Sequence, residues 1–278
     1  MREIDLHVHT TASDGSLSPA RVVALAKEQG LQAIAITDHD NAEGYAEAAR
    51  AGEELGVEVV PGIEISSRCR GPVHVLGYYC APPALSSLMG FITRDREARN
   101  RKITELMAAD GLPVCYEALQ ERFGTVIGRP HFGLLLMELG LVQSIDEAFD
   151  RYLEKGRKYY MPRSALPLED SLSLIRQAGG LAVLAHPFQY RLEDSQLREL
   201  IRFGMEHGLA GIECRYSGYS PEQCAYLEAL AEEYGLLKTG GSDFHGSNKP
   251  HIRLGSGKHG ELSVPYEFLR RLKERHKE

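Results

Sequence analysis

The sequence predicts an α/β fold in which strands alternate with helices around one all-helical interruption, and three features carry that prediction. Short apolar runs alternate with amphipathic helical patterns at both ends of the chain, residues 82–164 break the alternation, and histidines and carboxylates gather at the ends of the apolar runs. Strand followed by helix, repeated, calls for parallel strands with right-handed crossovers, hence a doubly wound sheet or a (β/α) barrel. Polar residues at successive strand ends favour the barrel, which closes those ends into one ring.

Seven apolar runs read as buried strands: Ile4–Val8, Ala33–Thr37, Val57–Pro61, Val73–Tyr78, Leu181–Ala185, Gly211–Cys214 and Leu237–Gly240. Each is short, and most are bounded by Gly, Pro or polar residues. The first helix starts at Ser18-Pro19 and stops at Gly30: the hydroxyl caps free N–H groups, and proline suits a first turn because its missing N–H would have had no partner there. Further helical patterns cover about 43–55, 168–178, 194–207 and 221–234. Between 82 and 164 the candidates are all helical: Met89–Ala109, Cys115–Phe123, Arg129–Leu139 and Ile145–Leu153. The expected domains are a barrel made of 1–81 and 165–278, and a helical insertion of 82–164 that covers the barrel mouth. Insertions in barrel enzymes grow from loops at the C-terminal ends of strands, where the active site lies.

Composition narrows the function. The 278 residues carry 32 Lys+Arg against 39 Asp+Glu, a formal net charge of −7, which disfavours a protein that lives on duplex DNA or an anionic membrane. Cys69, Cys80, Cys115, Cys214 and Cys224 form no C-x-x-C pair and are odd in number. They predict reduced thiols rather than a disulfide framework or a thiolate zinc site. No secretory h-region follows Met1 and no apolar run approaches the ~18 residues of a membrane span, so the expected location is the cytoplasm.

His7 and His9 stand two apart on the first strand, so both imidazoles face one side and can reach one metal. Asp14 follows in a Ser-Asp-Gly loop. The second strand ends in Asp38-His39-Asp40 and the third in Glu64; His74 lies on the fourth, His186 follows the fifth, and Asp243 and His245 follow the seventh. Six of the eleven histidines thus lie within or just after predicted strands, where chance would scatter them over helices and tails as well. Plainer roles exist for single residues: Asp14 as a turn residue, His74 as a core histidine, Asp38 and Asp40 as helix caps. Together, imidazole and carboxylate donors without thiolate suit Mn²⁺, Zn²⁺ or Fe²⁺ rather than Ca²⁺. Their number exceeds the needs of one tetrahedral ion and implies two or three divalent metals, with Mn²⁺ the first choice. Bridged divalent ions generate hydroxide near neutral pH and clamp phosphate oxygens, so phosphoester hydrolysis is the expected chemistry.

Seven segments resemble, nearly end to end, the motif set of the PHP (polymerase and histidinol phosphatase) superfamily. They are Asp5-Leu6-His7-Val8-His9-Thr10, Ser13-Asp14-Gly15, Thr37-Asp38-His39-Asp40, Pro61-Gly62-Ile63-Glu64-Ile65-Ser66, His74-Val75-Leu76-Gly77-Tyr78, Leu184-Ala185-His186-Pro187 and Gly241-Ser242-Asp243-Phe244-His245. Gly128-Arg129-Pro130-His131-Phe132, Ala148–Leu153 and Ala178-Gly179-Gly180 further resemble the group of 3′,5′-nucleoside bisphosphate phosphatases and 5′-to-3′ exoribonucleases. The resemblance implies a distorted (β/α)7 barrel of PHP type with a trinuclear site. His7, His9, Glu64 and Asp243 would hold one metal, Glu64 would bridge to a second held by His74 and His186, and Asp14, His39 and His245 would hold the third. Some members have His where this chain has Asp14, which changes the charge at the third metal. The resemblance also implies hydrolysis of the 3′-phosphate of a nucleoside 3′,5′-bisphosphate by attack of metal-bound hydroxide, adenosine 3′,5′-bisphosphate giving AMP and phosphate. Small nucleotides and the 5′ ends of short RNA are the partners it implies.

The insertion supplies cations. Arg94, Arg96, Arg99, Arg101 and Lys102 place five charges in nine residues, and Arg129 and His131 sit in Gly-Arg-Pro-His. Arginine's planar fork pairs with phosphate, and Arg99, Arg129 and His131 are the expected phosphate-binding residues. Arg94 and Arg96 alternate with Asp95 and Glu97 and read as a solvated face. Asp5 and Asp38, each close to a ligand histidine, are expected either to orient imidazoles or to satisfy backbone donors. Arg215 ends the sixth strand and is placed at the mouth, while Tyr78, Tyr79 and Tyr216 are candidates for base contact in a chain without Trp. Other functions share parts of the pattern: histidinol phosphatase or RNA 5′-end exonuclease with the same metals, a non-catalytic metal-binding module, and an amidohydrolase of C–N bonds with its H-x-H and late Asp. The complete ligand set argues against a decayed module, and the extra carboxylates and arginines point to phosphate.

Overall fold

The computed structural model describes residues 4–80, 82–123, 127–162 and 165–278. Its strands are β1 (Ile4–Val8), β2 (Ala33–Ile36), β3 (Glu58–Arg68), β4 (Pro72–Tyr78), β5 (Leu166–Pro167), β6 (Leu181–Leu184), β7 (Leu209–Tyr216) and β8 (Leu237–Gly241). Its α-helices are α1 (Pro19–Glu28), α2 (Gly44–Leu55), α3 (Pro82–Ala109), α4 (Tyr116–Phe123), α5 (Arg129–Glu138), α6 (Ile145–Ala148), α7 (Leu168–Gln177), α8 (Asp194–Glu206), α9 (Pro221–Glu233) and α10 (Tyr266–Lys277). The chain divides into two compact units, Met1–Leu88 with Ala165–Glu278, and Met89–Ser164.

In the first unit the sheet runs β1-β2-β3-β4-β6-β7-β8, with the short β5 paired to β3. Beyond β8 the chain bonds back to β1: the Asp243 N–H donates to the His7 carbonyl and the His9 N–H to the Phe244 carbonyl, both at 2.9 Å. The result is a nearly closed barrel. Parallel pairing, expected throughout, fails at β4, which is antiparallel to both β3 and β6. Three residues, Cys69 to Gly71, separate β3 from β4; so short a link closes a hairpin, whereas a parallel pair needs a crossover of roughly a dozen residues. β3 also outruns the apolar segment that announces it, pairing with β2 over Glu58–Pro61 and with β4 over Gly62–Arg68. Glu64 therefore projects from a strand rather than a loop.

Packing explains why these segments hold. Ser18 Oγ accepts the Arg21 N–H and starts α1, whose Val22, Val23 and Ala26 are buried with Ile34 and Ile36 of β2 and Ala48 of α2. The periodicity above does not pick out α10, yet its Phe268, Leu269 and Leu272 are buried with Ile4, Leu6 and Val264. That apolar stripe is narrow and set among charged positions. The second unit has a core of its own, including Ile103, Met107, Phe132, Leu136 and Leu153. Helix α3 begins at Pro82, in the first unit, rather than at Met89, and the last helix expected in the second unit is α6 followed by a π-helical turn at Phe149–Leu153. Among the described residues no helix is long and apolar enough to cross a membrane.

The seam between β8 and β1 is tight. A Cβ at Gly241 would lie 2.4 Å from the backbone N and from the Cβ of His7, whereas one at Gly71, in the β3–β4 turn, would meet nothing within 4 Å. Gly241→Ala is therefore expected to lower stability by about 1–3 kcal/mol, or to prevent folding. Gly71→Ala should change it by less than about 0.5 kcal/mol. Thermal unfolding of the two variants tests this, and equal melting temperatures would refute the close approach.

Candidate metal centre

Side chains alternate along a strand, so His7 on β1 and His9 just beyond it face the same space, and both are fully buried. Glu64 enters that space from β3 and His74 from β4, while His39, His186, Asp243 and His245 follow the ends of β2, β6 and β8. The nine expected ligands, His7, His9, Asp14, His39, Glu64, His74, His186, Asp243 and His245, fall into four overlapping groups with ligand atoms within 4.8 Å of one another. The groups are His9, Asp14, His39 and His245; His7, His9 and Asp243; His7, Glu64 and His186; and His39, Glu64 and His74.

Glu64 is common to two of them. Its Oε1 is 2.8 Å from His74 Nδ1 and 2.9 Å from His186 Nε2; its Oε2 is 2.8 Å from His39 Nδ1, 3.3 Å from His9 Nε2 and 3.5 Å from His7 Nε2. Asp14 Oδ1 lies 3.2 Å from His245 Nε2. Yet His7 Nε2, both ring nitrogens of His9, His39 Nδ1, His186 Nδ1 and Glu64 Oε2 are buried and make no hydrogen bond. Buried polar atoms left in this way call for an unseen partner, and lone pairs converging without hydrogen-bond geometry suit a cation. Imidazole and carboxylate donors alone fit a divalent transition ion.

Charge is tuned by the same contacts. Burial opposes a proton on His9, but Asp243 and Glu64 outweigh it and raise the imidazole to about 9. Burial prevails at His39, which falls to about 4 despite Glu64 and Asp14. Against the cost of burial, Asp14 and Glu64 stay well below the usual carboxylate range, His39 being the foremost cause in both. The backbone is strained here: Asp40, His186 and Asp243 have φ of 49°, 25° and 57°, conformations that cost on the order of 1–3 kcal/mol each. Hydrogen bonds hold them, from the Asp40 N–H to the Glu64 carbonyl at 2.9 Å, from the His186 N–H to Glu213 Oε2 at 2.7 Å, and from the Asp243 N–H to the His7 carbonyl.

Asp5 and Asp38 act on the backbone and on hydroxyls, the second of the two roles expected of them. Asp38 accepts from the Thr10 N–H and hydroxyl, each at 2.7 Å, and from Ser13 Oγ at 2.6 Å, pinning the loop that carries Asp14. Asp5 accepts from the Ser242 and Gly255 N–H groups at 2.8 Å, from Ser242 Oγ at 2.5 Å and from the His7 N–H at 3.2 Å. Asp40 Oδ1 accepts the Ser66 N–H, and α2 starts from Glu43, so neither Asp38 nor Asp40 caps that helix. Outside the nine expected ligands, a carboxylate that touches an imidazole is Glu213, which the sequence pattern did not single out: its Oε1 lies 2.9 Å from His7 Nδ1. A fully buried Glu in the apolar run of β7 was its one signal, since such residues are retained only with partners.

Other expectations shift too. Tyr216 donates to Asp243 Oδ2, Tyr78 is buried with its hydroxyl on the Leu6 carbonyl, and Tyr79 stacks on His276. Arg215 is tied to Glu228 and to the Ser263 carbonyl.

Within the second unit, Arg99 is buried and donates to Asn100 Oδ1 at 2.7 Å. Arg129 opens α5, with its guanidinium over the Phe149 and Tyr160 rings and 3.4 Å from the Leu153 carbonyl. His131 Nδ1 accepts the Gly128 N–H at 2.8 Å. Arg96, expected on a solvated face, is buried: it shares the helical stripe of Asn100, Ile103 and Met107. Arg94 is exposed as expected, and Arg101 is exposed too, paired with Glu97 and Glu117.

The family described as PHP domain matches the chain over residues 5–206. A 5′-3′ exoribonuclease of Haemophilus influenzae is 32% identical over 247 residues, 88% of this chain and 90% of that protein. A 3′,5′-nucleoside bisphosphate phosphatase of Chromobacterium violaceum is 34% identical over 250 residues, 88% of each chain. Among solved structures, a protein of Bifidobacterium adolescentis described as a metal-dependent phosphoesterase superposes with a TM-score of 0.87 at 31% identity, over 99% of this chain and 96% of that one.

A metal takes a neutral imidazole, so loading must displace the proton that His9, raised to about 9, holds at pH 7; His39, lowered to about 4, has none to lose. Titrating Mn²⁺ into chelator-stripped protein is expected to release protons at pH 7, and apparent affinity should fall as pH drops from 9 to 6. Calorimetry in two buffers of different ionisation enthalpy measures the release; equal heats after buffer correction for zero protons would contradict the assignment.

Proposed function

This chain belongs to the PHP domain family, and from that premise, as a metal-dependent phosphoesterase, we propose that it hydrolyses the 3′-phosphate of nucleoside 3′,5′-bisphosphates. The observation that carries the reading is the overlap of the four ligand groups through His7, His9, His39 and Glu64. Overlap of this kind suits two or three divalent ions held side by side, with Mn²⁺ the first choice and Zn²⁺ or Fe²⁺ the alternatives. Bound there, such ions supply an activated water and neutralise charge on the transferring phosphoryl group.

The chain's own residues set the rest. Glu64 divides its oxygens between His74 and His186 on one side and His7, His9 and His39 on the other, which fixes the spacing of neighbouring positions. Asp14, His39 and His245 form the outlying set with His9. The candidates for the second phosphate are Arg99, Arg129 and His131 of the second unit, where the Arg129 guanidinium packs against two aromatic rings and a carbonyl. The kinship with a bisphosphate phosphatase supports this substrate. Kinship with a 5′-3′ exoribonuclease favours a second reading, in which the bond broken is again between phosphorus and a ribose 3′ oxygen, the leaving group is the 5′-terminal nucleotide, and the rest of a short RNA keeps the phosphate.

The test is phosphate release from adenosine 3′,5′-bisphosphate by chelator-stripped protein with and without Mn²⁺, beside histidinol phosphate and a short 5′-phosphorylated RNA. Mn²⁺-dependent turnover of the bisphosphate above the others is expected; turnover of RNA alone would replace this reading with the second. Arg129→Ala is expected to cost roughly tenfold or more on the bisphosphate, and much less on a small activated phosphate ester. Equal losses on both would remove Arg129 from the phosphate grip.

A further inference from the structure

Asp243 uses its two oxygens differently. Oδ1 looks into the centre, 3.2 Å from His9 Nε2, 3.4 Å from His245 Nδ1 and 3.6 Å from His7 Nε2. Oδ2 accepts two hydrogen bonds, from the Tyr216 hydroxyl and the Lys249 ammonium, each at 2.7 Å. Both donors are built into the frame. The Tyr216 ring packs at 5.2 Å from Tyr219 and 5.4 Å from His186. Lys249 follows the short turn Gly246–Asn248, its N–H 3.3 Å from the Gly246 carbonyl. Its side chain is 38% exposed. Neither residue belongs to the ligand groups, and the catalytic reading above gives them no task.

A carboxylate binds a divalent ion through one oxygen or both. Turning Oδ2 inward here would break two charge-assisted hydrogen bonds, the strong kind. We propose that Tyr216 and Lys249 are positioning residues that restrict Asp243 to one-oxygen coordination, and so keep one metal position open for a phosphate oxygen or water. A closed site, with Asp243 bidentate, would hold its ion more tightly and work less well, because a catalytic ion needs an exchangeable position. The inference rests on the metal reading of the centre and is independent of which phosphoester is the substrate.

The test uses the full chain, stripped with chelator and titrated with Mn²⁺ in the absence of substrate, for Tyr216→Phe, Lys249→Met and the double variant. Water-proton relaxation counts the exchanging waters on bound Mn²⁺, and chelator competition gives affinity. The double variant is expected to lose one exchanging water and to bind Mn²⁺ more tightly, while its phosphoesterase turnover falls. A purely structural role would weaken binding and turnover together. An unchanged water count with unchanged or weaker Mn²⁺ affinity overturns the proposal. Should the double variant fail to fold, Lys249→Met carries the same test through the count of exchanging waters, which must fall. Failure of the parent protein on the bisphosphate would sink the proposed substrate but leave these binding measurements intact.

Discussion

Glu64 is the constraint on which the rest of the structure depends. A carboxylate with 1% of its side chain exposed is enclosed by the imidazoles of His7, His9, His39, His74 and His186. Removing a carboxylate from water costs several kcal/mol, roughly, and must be offset by close opposite charge or full hydrogen bonding. His9, raised to about 9, offsets part of that cost, yet Glu64 Oε2 is left buried without a hydrogen bond. The centre is therefore arranged for cations, and barrel closure, loop conformation and strained backbone all serve to bring donors to one point.

Three further buried carboxylates do the supporting work, each in a different way. Asp5 gathers donors from the β8 end and from Gly255, which closes the barrel at β1. Asp38 pins the loop that delivers Asp14. Glu213 joins the His7 ring to the backbone of His186 and so sets two ligands against each other. A ligand histidine ordinarily needs such an outer partner to fix its tautomer and orientation. Together these contacts account for how residues at φ of 25° and 57°, His186 and Asp243, are held in place.

The second unit follows another logic. Its arginines are placed by a helical stripe and by aromatic rings rather than by strand ends, and the π-helical turn at Phe149–Leu153 supplies both a ring and a carbonyl to Arg129. Such turns recur at functional sites, and here the turn holds one cation in a defined pose.

What the sequence by itself determined is the local part. Period-2 spacing placed His7 and His9 together, apolar runs located the principal strands, and the gathering of His, Asp and Glu after them marked the centre. The direction of β4 was not legible, because the apolar runs end at Pro61 and resume at Val73, and only the structure extends β3 to Arg68 and shortens the link to a hairpin. Only the tertiary structure decided that Asp5 reaches Ser242, 237 positions away, or that Glu213 meets His7 across 206. It alone decided that Tyr216 and Lys249 meet on one oxygen of Asp243, and that Arg96 is buried while Arg101 is solvated. The physical reason is range: backbone periodicity is a property of neighbours in the chain, whereas the partner of a buried charge is chosen by barrel closure, and no local pattern encodes it.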